Sequence, residues 1–408
     1  MRPAALSFLL AGLALLAACR PAPTALRAAG QPAEQTLTPG PTPPGRPSAD
    51  CSSLLLAQHR FSVRAWPRTN FCLHSVPYDE IQSGGVGRDR IPAIDAPLFV
   101  SPAEADLWLA DVEPVMVLAL QGDARAYPLQ VLVWHEIVND LVAGRPVAIT
   151  YCPLCNAGLA FDRRLDGRTL DFGTTGNLRR ADLVMYDRQT ESWWQQFTGE
   201  AIVGELTGTR LPLLPVSITS YADFKAAYPA GQVLFPDTGY ERPYGENPYV
   251  NYDSLANPGA RWLDAEPDPR LEPKRRVLGL ALGDQAIAYP FDLLAAAGAL
   301  NHELAGRPLV VFWKAGTVSA LDNQVIVESK DVGSAAAFSR ELDGRTLTFA
   351  AEAGRFRDEQ TGSVWNIFGH AVAGPLAGRR LEPLPANEFF WFAWAAFRPD
   401  TAVYRPAL

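Results

Sequence analysis

Two cysteines stand three residues apart at the end of an apolar run, and no other stretch of the chain carries comparable chemistry. The run 148–151 leads directly into Cys152, Pro153, Leu154 and Cys155. Two thiols at this spacing can close a disulfide, relay electrons or bind a soft metal ion. The pattern alone leaves these three kinds of site open.

The residues after Cys155 help to choose among them. Asn156 and Gly158 precede a second apolar run, which predicts a turn between two strands. A thioredoxin-like dithiol instead lies at a helix N-terminus, where the helix dipole lowers a thiol pKa. A closed zinc site needs four ligands, typically from two such turns, and c-type haem attachment needs a histidine where Asn156 stands. Both are disfavoured, and a simple disulfide remains the rival to metal binding.

His135 and Met185 are the candidate additional ligands. His135 is one element upstream of Cys152, in a predicted helix, and Met185 is one of three methionines in the chain. Imidazole and thioether both bind copper, although buried packing roles are the alternative for each. The predicted metal site is therefore Cys152 and Cys155 with His135 or Met185. Copper is the ion predicted, with no other cofactor.

The N-terminal residues read as a targeting segment rather than as part of the fold. Arg2 precedes a mostly apolar stretch, 4–18, which ends at Cys19; this is typical of a secretory signal. Its ending is similar to a bacterial lipobox, and we predict lipidation of Cys19, which would hold the chain to a membrane. The Pro- and Ala-rich segment that follows predicts a disordered tether. The expected location is the extracytoplasmic side of a membrane.

Cys51 and Cys72 remain after the other three cysteines are assigned. In an exported chain disulfides persist, and we predict that these two residues form a structural bridge. Two buried free thiols are the alternative.

Composition excludes one class of partner. The net charge is −8 with 48% hydrophobic residues, and the basic residues are scattered rather than clustered, which argues against nucleic-acid binding. About 350 residues follow the tether, enough for two domains of ordinary size.

An internal repeat organises those residues. AYP at 126–128 recurs at 288–290, and AGRP at 143–146 recurs at 305–308, both with an offset of 162 (288 − 126). DGRTL at 166–170 recurs at 343–347, an offset of 177 (343 − 166), and Gln189 with Trp194 matches Gln360 with Trp365, an offset of 171. Matches in one order predict a duplicated unit.

The shared unit predicts an α+β fold: two tandem copies of a mostly antiparallel β unit with few helices. Strands are expected at 115–120 and 146–151, a helix from Pro128 towards Gly144, and a short closing helix at 221–227. The predicted organisation is a signal peptide at 1–19, a tether at 20–50, an N-terminal extension at 51–112, repeat 1 at 113–235, a linker at 236–270 and repeat 2 at 271–408.

The copies differ at the candidate site. With the offset of 162, Cys152 matches Lys314, Cys155 matches Thr317 and His135 matches Ala297. The second copy therefore keeps the scaffold without the reactive groups. We expect it to be structural or to form a wall of a shared cleft.

Several motifs together resemble one uncharacterised family. They are SGGV at 83–86, IPAID at 91–95, WHEIVND at 134–140, YCPLC at 151–155, FGTTGNL at 172–178, MYDR at 185–188 and YGENPY at 244–249. On these residues the chain is similar to the bacterial and archaeal family called domain of unknown function 3179, over roughly 70–400. The resemblance implies an extracytoplasmic location and no established activity.

Three functions remain for the dithiol. The first is soft-metal binding, most plausibly of copper. The second is a thiol-disulfide oxidoreductase that uses the same two cysteines. The third is a non-catalytic envelope module in which they form a fixed bridge.

Overall fold

Short strands dominate the structure, a computed structural model that describes residues 61–256, 263 and 266–406. Strands account for 41% of the residues and helices for 11%, which confirms the predicted α+β class of mostly antiparallel strands with few helices. Cys19 and Cys51 lie outside the described residues, as do the predicted signal peptide and tether.

In the described part of the chain the α-helices are α1 (Pro102–Ala105), α2 (Leu129–His135), α3 (Tyr221–Ala227), α4 (Phe291–Ala297) and α5 (Trp391–Phe397). None of these helices has the length and apolar character needed to cross a bilayer.

The first half contains strands β1 (Ile81–Ser83), β2 (Phe99–Val100), β3 (Pro114–Leu120), β4 (Asp123–Pro128), β5 (Ile137–Val142), β6 (Arg145–Cys152), β7 (Ala157–Asp162), β8 (Arg164–Leu165), β9 (Arg168–Thr169), β10 (Phe172–Arg179), β11 (Asp182–Asp187), β12 (Trp193–Gln195), β13 (Glu200–Val203), β14 (Leu213–Leu214), β15 (Ser217–Ser220) and β16 (Gln232–Leu234). They form sheets in the orders β1-β10-β11-β12-β13, β14-β7-β6-β5 and β15-β3-β4-β16-β2, with β8-β9 as a small hairpin.

The second half contains strands β17 (Arg276–Leu282), β18 (Gln285–Pro290), β19 (Ala299–Leu304), β20 (Arg307–Lys314), β21 (Ser334–Ser339), β22 (Glu341–Leu342), β23 (Arg345–Thr346), β24 (Phe349–Glu352), β25 (Arg355–Asp358), β26 (Val364–Trp365), β27 (Ala371–Ala373), β28 (Ala386–Phe390) and β29 (Ala402–Val403). Their sheet orders are β28-β17-β18-β29, β19-β20-β21 and β24-β25-β26-β27, with β22-β23 as a hairpin.

The two halves pair their strands in the same way. β3 pairs antiparallel with β4 and β15, while β4 pairs parallel with β16. Likewise, β17 pairs antiparallel with β18 and β28, while β18 pairs parallel with β29. This agreement is what a duplication predicts, and common origin of the halves stays a prediction.

The helix expected to run towards Gly144 is shorter than the sequence pattern suggests. It ends at His135 because Glu136 adopts a positive φ of 58°, and β5 follows at once. All six residues of β5 pair with β6, so its β-branched residues serve a strand. The apolar residues Val138 and Val142, three and seven positions after His135, fit a helical pattern, but in the structure both belong to β5.

Part of the segment predicted as a linker contacts both halves. The backbone N–H of Asn247 donates to the carbonyl oxygen of Gln324 at 2.8 Å, and the N–H of Ile326 donates to that of Gly245 at 3.0 Å. The Trp134 Nε1–H donates to the Glu246 carbonyl at 3.1 Å. Residues 244–253, called here the strap, are therefore held by both halves.

One apolar cluster reaches across the halves and encloses the cysteines. It contains Cys152 and Cys155 together with Phe389, Phe390 and Trp391 of the second half. The site therefore lies in a shared core rather than at the surface of one repeat.

Candidate functional site

The two cysteines are presented by a tight turn between β6 and β7. β6 ends at Cys152 and β7 begins at Ala157. The N–H of Cys155 donates to the Cys152 carbonyl at 3.2 Å, and Asn156 has a φ of 51°. A turn between strands, as the sequence predicts, gives the thiols no helix dipole to lower their pKa.

Three potential metal ligands converge at this turn. The sulfurs of Cys152 and Cys155 and a carboxylate oxygen of Asp182 all lie within 4.8 Å of one another. Asp182 comes from the first position of β11. Cys152 is 1% exposed, Cys155 and Asp182 are 0% exposed, and both thiols are free. The group is therefore a buried dithiol with one carboxyl neighbour.

The Asp182 carboxyl is half satisfied. Its Oδ2 accepts from Gln195 Nε2 at 2.5 Å and from the Phe197 N–H at 2.9 Å, whereas its buried Oδ1 has no hydrogen-bond partner among the described residues. Burial raises the pKa of Asp182 to about 7. One oxygen is thus free to accept a proton or bind a cation.

Burial also raises the pKa of each thiol. For Cys152 the negative charges of Asp182 and Glu136 add to the effect of burial on the pKa, and for Cys155 the pKa rises well above its ordinary value. Its Sγ lies 3.3 Å from the Ala181 carbonyl oxygen, in position to donate. Both thiols are held protonated, unlike the low-pKa nucleophile of an oxidoreductase.

Glu136 brings a second acidic group towards the same place. Its side chain makes no hydrogen bond or ion pair with any described residue, and it is 8% exposed. Burial raises its pKa to about 8, with a smaller contribution from the charge of Asp182. A buried, unpaired carboxyl on a residue with positive φ is costly, which marks a functional position.

Lys274 is a buried amine that interacts electrostatically with Cys155. It is 1% exposed, its Nζ has no hydrogen-bond partner in the part of the chain that the structure describes, and it lies 2.9 Å from the ring centroid of Tyr252. Burial lowers its pKa to about 7, while the negative charge of a Cys155 thiolate opposes that change. The Tyr252 O–H donates to the Leu154 carbonyl at 3.0 Å, so the strap contacts the cysteine turn directly.

His135 lies outside the group of three. Its Nδ1 is 2.7 Å from the Pro92 carbonyl oxygen and its Nε2 is 2.6 Å from the Tyr244 hydroxyl. Because a carbonyl only accepts, Nδ1 carries the proton and Nε2 accepts from Tyr244. Both ring nitrogens are engaged, and the structure does not bring this predicted ligand to the cysteines.

Met185 occupies a packing position. It is fully buried on β11, opposite Thr174 on β10 and Trp194 on β12, within the apolar cluster that contains the cysteines. Its role as a ligand stays a prediction. The same holds for the Cys51–Cys72 bridge, since Cys51 is not among the described residues.

Sequence reasoning missed Asp182, Glu136 and Lys274. Glu136 was visible within the WHEIVND motif beside His135, and at the offset of 162 it matches Gly298, a residue type that commonly ends a helix. Asp182 comes from a separate hairpin, and Lys274 comes from the start of the second half. Only the tertiary fold brings these two to the cysteines.

Comparison with known proteins places the chain in one family. Neither the curated proteins nor the solved structures contain a match to it. The model of the family described as "Protein of unknown function (DUF3179)" matches residues 88–401, which include every residue of the site. Because this match spans most of the chain, the protein belongs to that family of unknown function.

Proposed function

We propose that the protein is an extracytoplasmic, membrane-anchored lipoprotein that binds one thiophilic metal ion through Cys152, Cys155 and Asp182. The observation that supports this proposal is the convergence of two sulfurs and one carboxylate oxygen within 4.8 Å in the core. Lipidation at Cys19 and the tether after it are the sequence features behind the anchor.

Charge compensation favours a cation at this place. Without an ion, burial raises the pKa of both thiols and raises that of the Asp182 carboxyl to about 7. A bound cation would stabilise the deprotonated forms of all three, so binding would release protons and strengthen with pH.

Copper(I) is the first candidate ion because thiolates are soft donors. The carboxylate of Asp182, which takes the place expected for His135 or Met185, makes Zn²⁺ the competitor, since zinc accepts Cys sulfur and Asp oxygen together. Two cysteines and one aspartate also leave a coordination position open for a further donor or for exchange with a partner.

A thiol-disulfide oxidoreductase is the second candidate, and one observation favours it. Asp182, with a pKa of about 7, lies beside both free thiols and could accept the proton that a buried thiol must lose before it reacts. The raised thiol pKa values argue against it, because the thiolate is the nucleophile. A fixed structural bridge between the same cysteines is the third.

The test is a titration of reduced, metal-free protein with copper(I) and, separately, with Zn²⁺. We expect one ion per chain in the wild type, at least about a hundredfold weaker binding in Cys152→Ser and in Asp182→Asn, and unchanged binding in the matched control His135→Ala. Equal binding in all four proteins would reject the metal site.

Reduction potential separates the remaining functions. A structural bridge between Cys152 and Cys155 should have a potential below about −300 mV, and a working redox couple should lie higher. A potential in the higher range together with absent metal binding would favour the oxidoreductase.

A further inference from the structure

A cleft of about 790 Å³ is lined by Pro92 and Tyr240, two residues that contact the His135 ring. Its volume falls within the range of roughly 300–1,000 Å³ that is usual for small-molecule sites. Pro92, whose carbonyl oxygen accepts from His135, forms part of the wall. The lining residues are Val86, Asp89, Arg90, Pro92, Ala93, Asp95, Arg188, Tyr240 and Arg242.

The two carboxylates of the lining are already engaged. Asp95 forms an ion pair with Arg188 and accepts from Asn139 Nδ2 at 2.8 Å. Asp89 accepts from the Tyr186 hydroxyl at 2.5 Å. Asp89 also lies 3.8 Å from the Arg88 guanidinium, so each acid has an arginine partner other than Arg90 and Arg242.

Arg90 and Arg242 have no carboxylate partner among residues 61–256, 263 and 266–406. The Arg242 guanidinium donates to the neighbouring Glu241 carbonyl oxygen at 3.3 Å, and the exposed Arg90 side chain makes no hydrogen bond in that part of the chain. A guanidinium is a planar fork of donors that matches the paired oxygens of carboxylate or phosphate. Two such groups facing one cleft provide a receptor for more than one anionic group.

We propose that this cleft binds a small molecule carrying at least two carboxylate or phosphate groups, with Arg90 and Arg242 as the anion-binding residues. Tyr240, 47% exposed, lines the same cleft and offers an aromatic face to the body of the ligand. The second half has Glu359 where Arg188 stands (359 − 188 = 171), so the equivalent position there carries the opposite charge.

Binding of citrate and of pyrophosphate to metal-free protein, followed by calorimetry, tests the proposal. These probes separate carboxylate from phosphate recognition, and metal-free protein removes chelation as a cause. The variant Arg90→Gln/Arg242→Gln should bind the preferred anion at least roughly tenfold more weakly, since a hydrogen bond to a charged group stabilises by an amount of that size.

The matched control is Arg345→Gln/Arg355→Gln, which removes the same charge from exposed positions in the second half. We expect this control to bind like the wild type, and binding in the wild type to weaken with added salt. Wild-type protein that binds neither probe, or equal loss in both double variants, would overturn the proposal. Metal binding is not involved in either readout, so this result is independent of the proposed function.

Discussion

The two halves of the molecule share two sets of side-chain hydrogen bonds, called here the fastenings, but differ in the residues at their centres. In the first half Asn139 Nδ2 donates to the Phe172 carbonyl at 2.8 Å and its Oδ1 accepts the Phe172 N–H at 2.9 Å. In the second half Asn301 makes the same two bonds to Phe349, at 2.8 and 2.9 Å. This side chain ties one sheet to the next in both halves.

A second fastening is repeated equally closely. Asp187 Oδ2 accepts from Trp194 Nε1 at 2.9 Å, and Asp358 Oδ2 accepts from Trp365 Nε1 at 2.9 Å. Each aspartate also accepts the backbone N–H three residues later at 2.6 Å. These bonds explain why the Gln-Thr-x-Ser-x-Trp pattern appears twice in the sequence.

The centres differ at every position that could react. Lys314, at the position of Cys152, forms an ion pair with Asp223, and the Thr317 hydroxyl, at the position of Cys155, lies 2.6 Å from the Ser334 hydroxyl. Asp182 begins β11 opposite the last residue of β10, and the equivalent position in the second half, opposite the last residue of β24, is Arg355. The fastenings therefore hold the scaffold of both halves together. The potentially reactive side chains of the first half occupy positions that take no part in these hydrogen bonds.

Glu136 shows the same contrast in the backbone. Its match is Gly298 (298 − 136 = 162), and the φ values are 58° and 65°. Both residues donate to the helix carbonyl four residues earlier at 2.8 Å, and their carbonyls accept at 2.8 Å from Tyr151 in β6 and from Trp313 in β20. The positive φ at this position favours glycine, and the first half has a glutamate there despite the backbone strain.

We expect the largest effect when the two cysteines are moved to the second half. The variant Lys314→Cys/Thr317→Cys places a dithiol in the second half, where Arg355 holds the position of Asp182 in the hairpin and the nearby Asp331 carboxylate already accepts backbone N–H groups of residues 316, 317 and 333. In a background of Cys152→Ser/Cys155→Ser, we expect it to bind copper(I) at least about a hundredfold more weakly than the native site. Calorimetric titration measures this, and native-like affinity would show that the two thiols alone suffice.

The acidic centre predicts a contribution to the pH dependence of stability. Asp182 and Glu136 have pKa values of about 7 and about 8, raised by burial, so between about pH 4 and pH 8 these two carboxyls bind more protons in the folded state than in the unfolded state. Their contribution to the stability of metal-free protein must then fall as pH rises, by up to about 1.4 kcal/mol per pH unit for each group.

Urea unfolding at several pH values measures this slope. Asp182→Asn and Glu136→Gln should each flatten it, and Asp223→Asn is the control outside the centre. The same pH slope in the wild type and in both centre variants would contradict the burial of the two carboxyls.

The shared fastenings predict matched losses of stability. Asp187→Ala and Asp358→Ala each leave a buried tryptophan N–H and a threonine without an acceptor, and each should cost roughly 3 kcal/mol. Denaturant unfolding compares the two. A large cost in one half and none in the other would show that the fastenings are not equivalent.

The smallest expected effects concern the paired Glu136 and Gly298. Glu136→Gly should raise stability by about 1 kcal/mol, because glycine tolerates positive φ, and should weaken metal binding if the carboxyl serves the site. Gly298→Ala should lower stability, since its Cβ would lie 2.4 Å from the Ala351 Cβ. Thermal unfolding and titration give both readouts; a destabilised Glu136→Gly would make that side chain structural.

Local signals in the sequence were sufficient for much of the fold. The closing helix at 221–227, the strand at 115–120 and the turn at the cysteines follow from apolar periodicity and from turn residues. The end of α2 was missed because apolar residues at 138 and 142 suit either a helix or a strand, and the positive φ of Glu136 decides between them.

The site was only half visible for a different reason. Cys152 and Cys155 are neighbours in sequence, so their spacing alone reveals them. Asp182 comes from another hairpin and Lys274 from the other half, and long-range packing sets both. His135 was predicted from closeness in sequence to Cys152, but its ring is turned to Pro92 and Tyr244.

X-ray absorption at the metal edge of the ion-loaded protein tests the central claim most directly. The proposed site predicts scattering from two sulfur atoms and one oxygen atom bound to the metal, without an imidazole signal. For zinc the sulfur atoms should lie at about 2.3 Å and the oxygen atom at about 2.0–2.2 Å. The oxygen should disappear in Asp182→Ala. Imidazole scattering, or a first shell without sulfur, would contradict a site made by Cys152, Cys155 and Asp182.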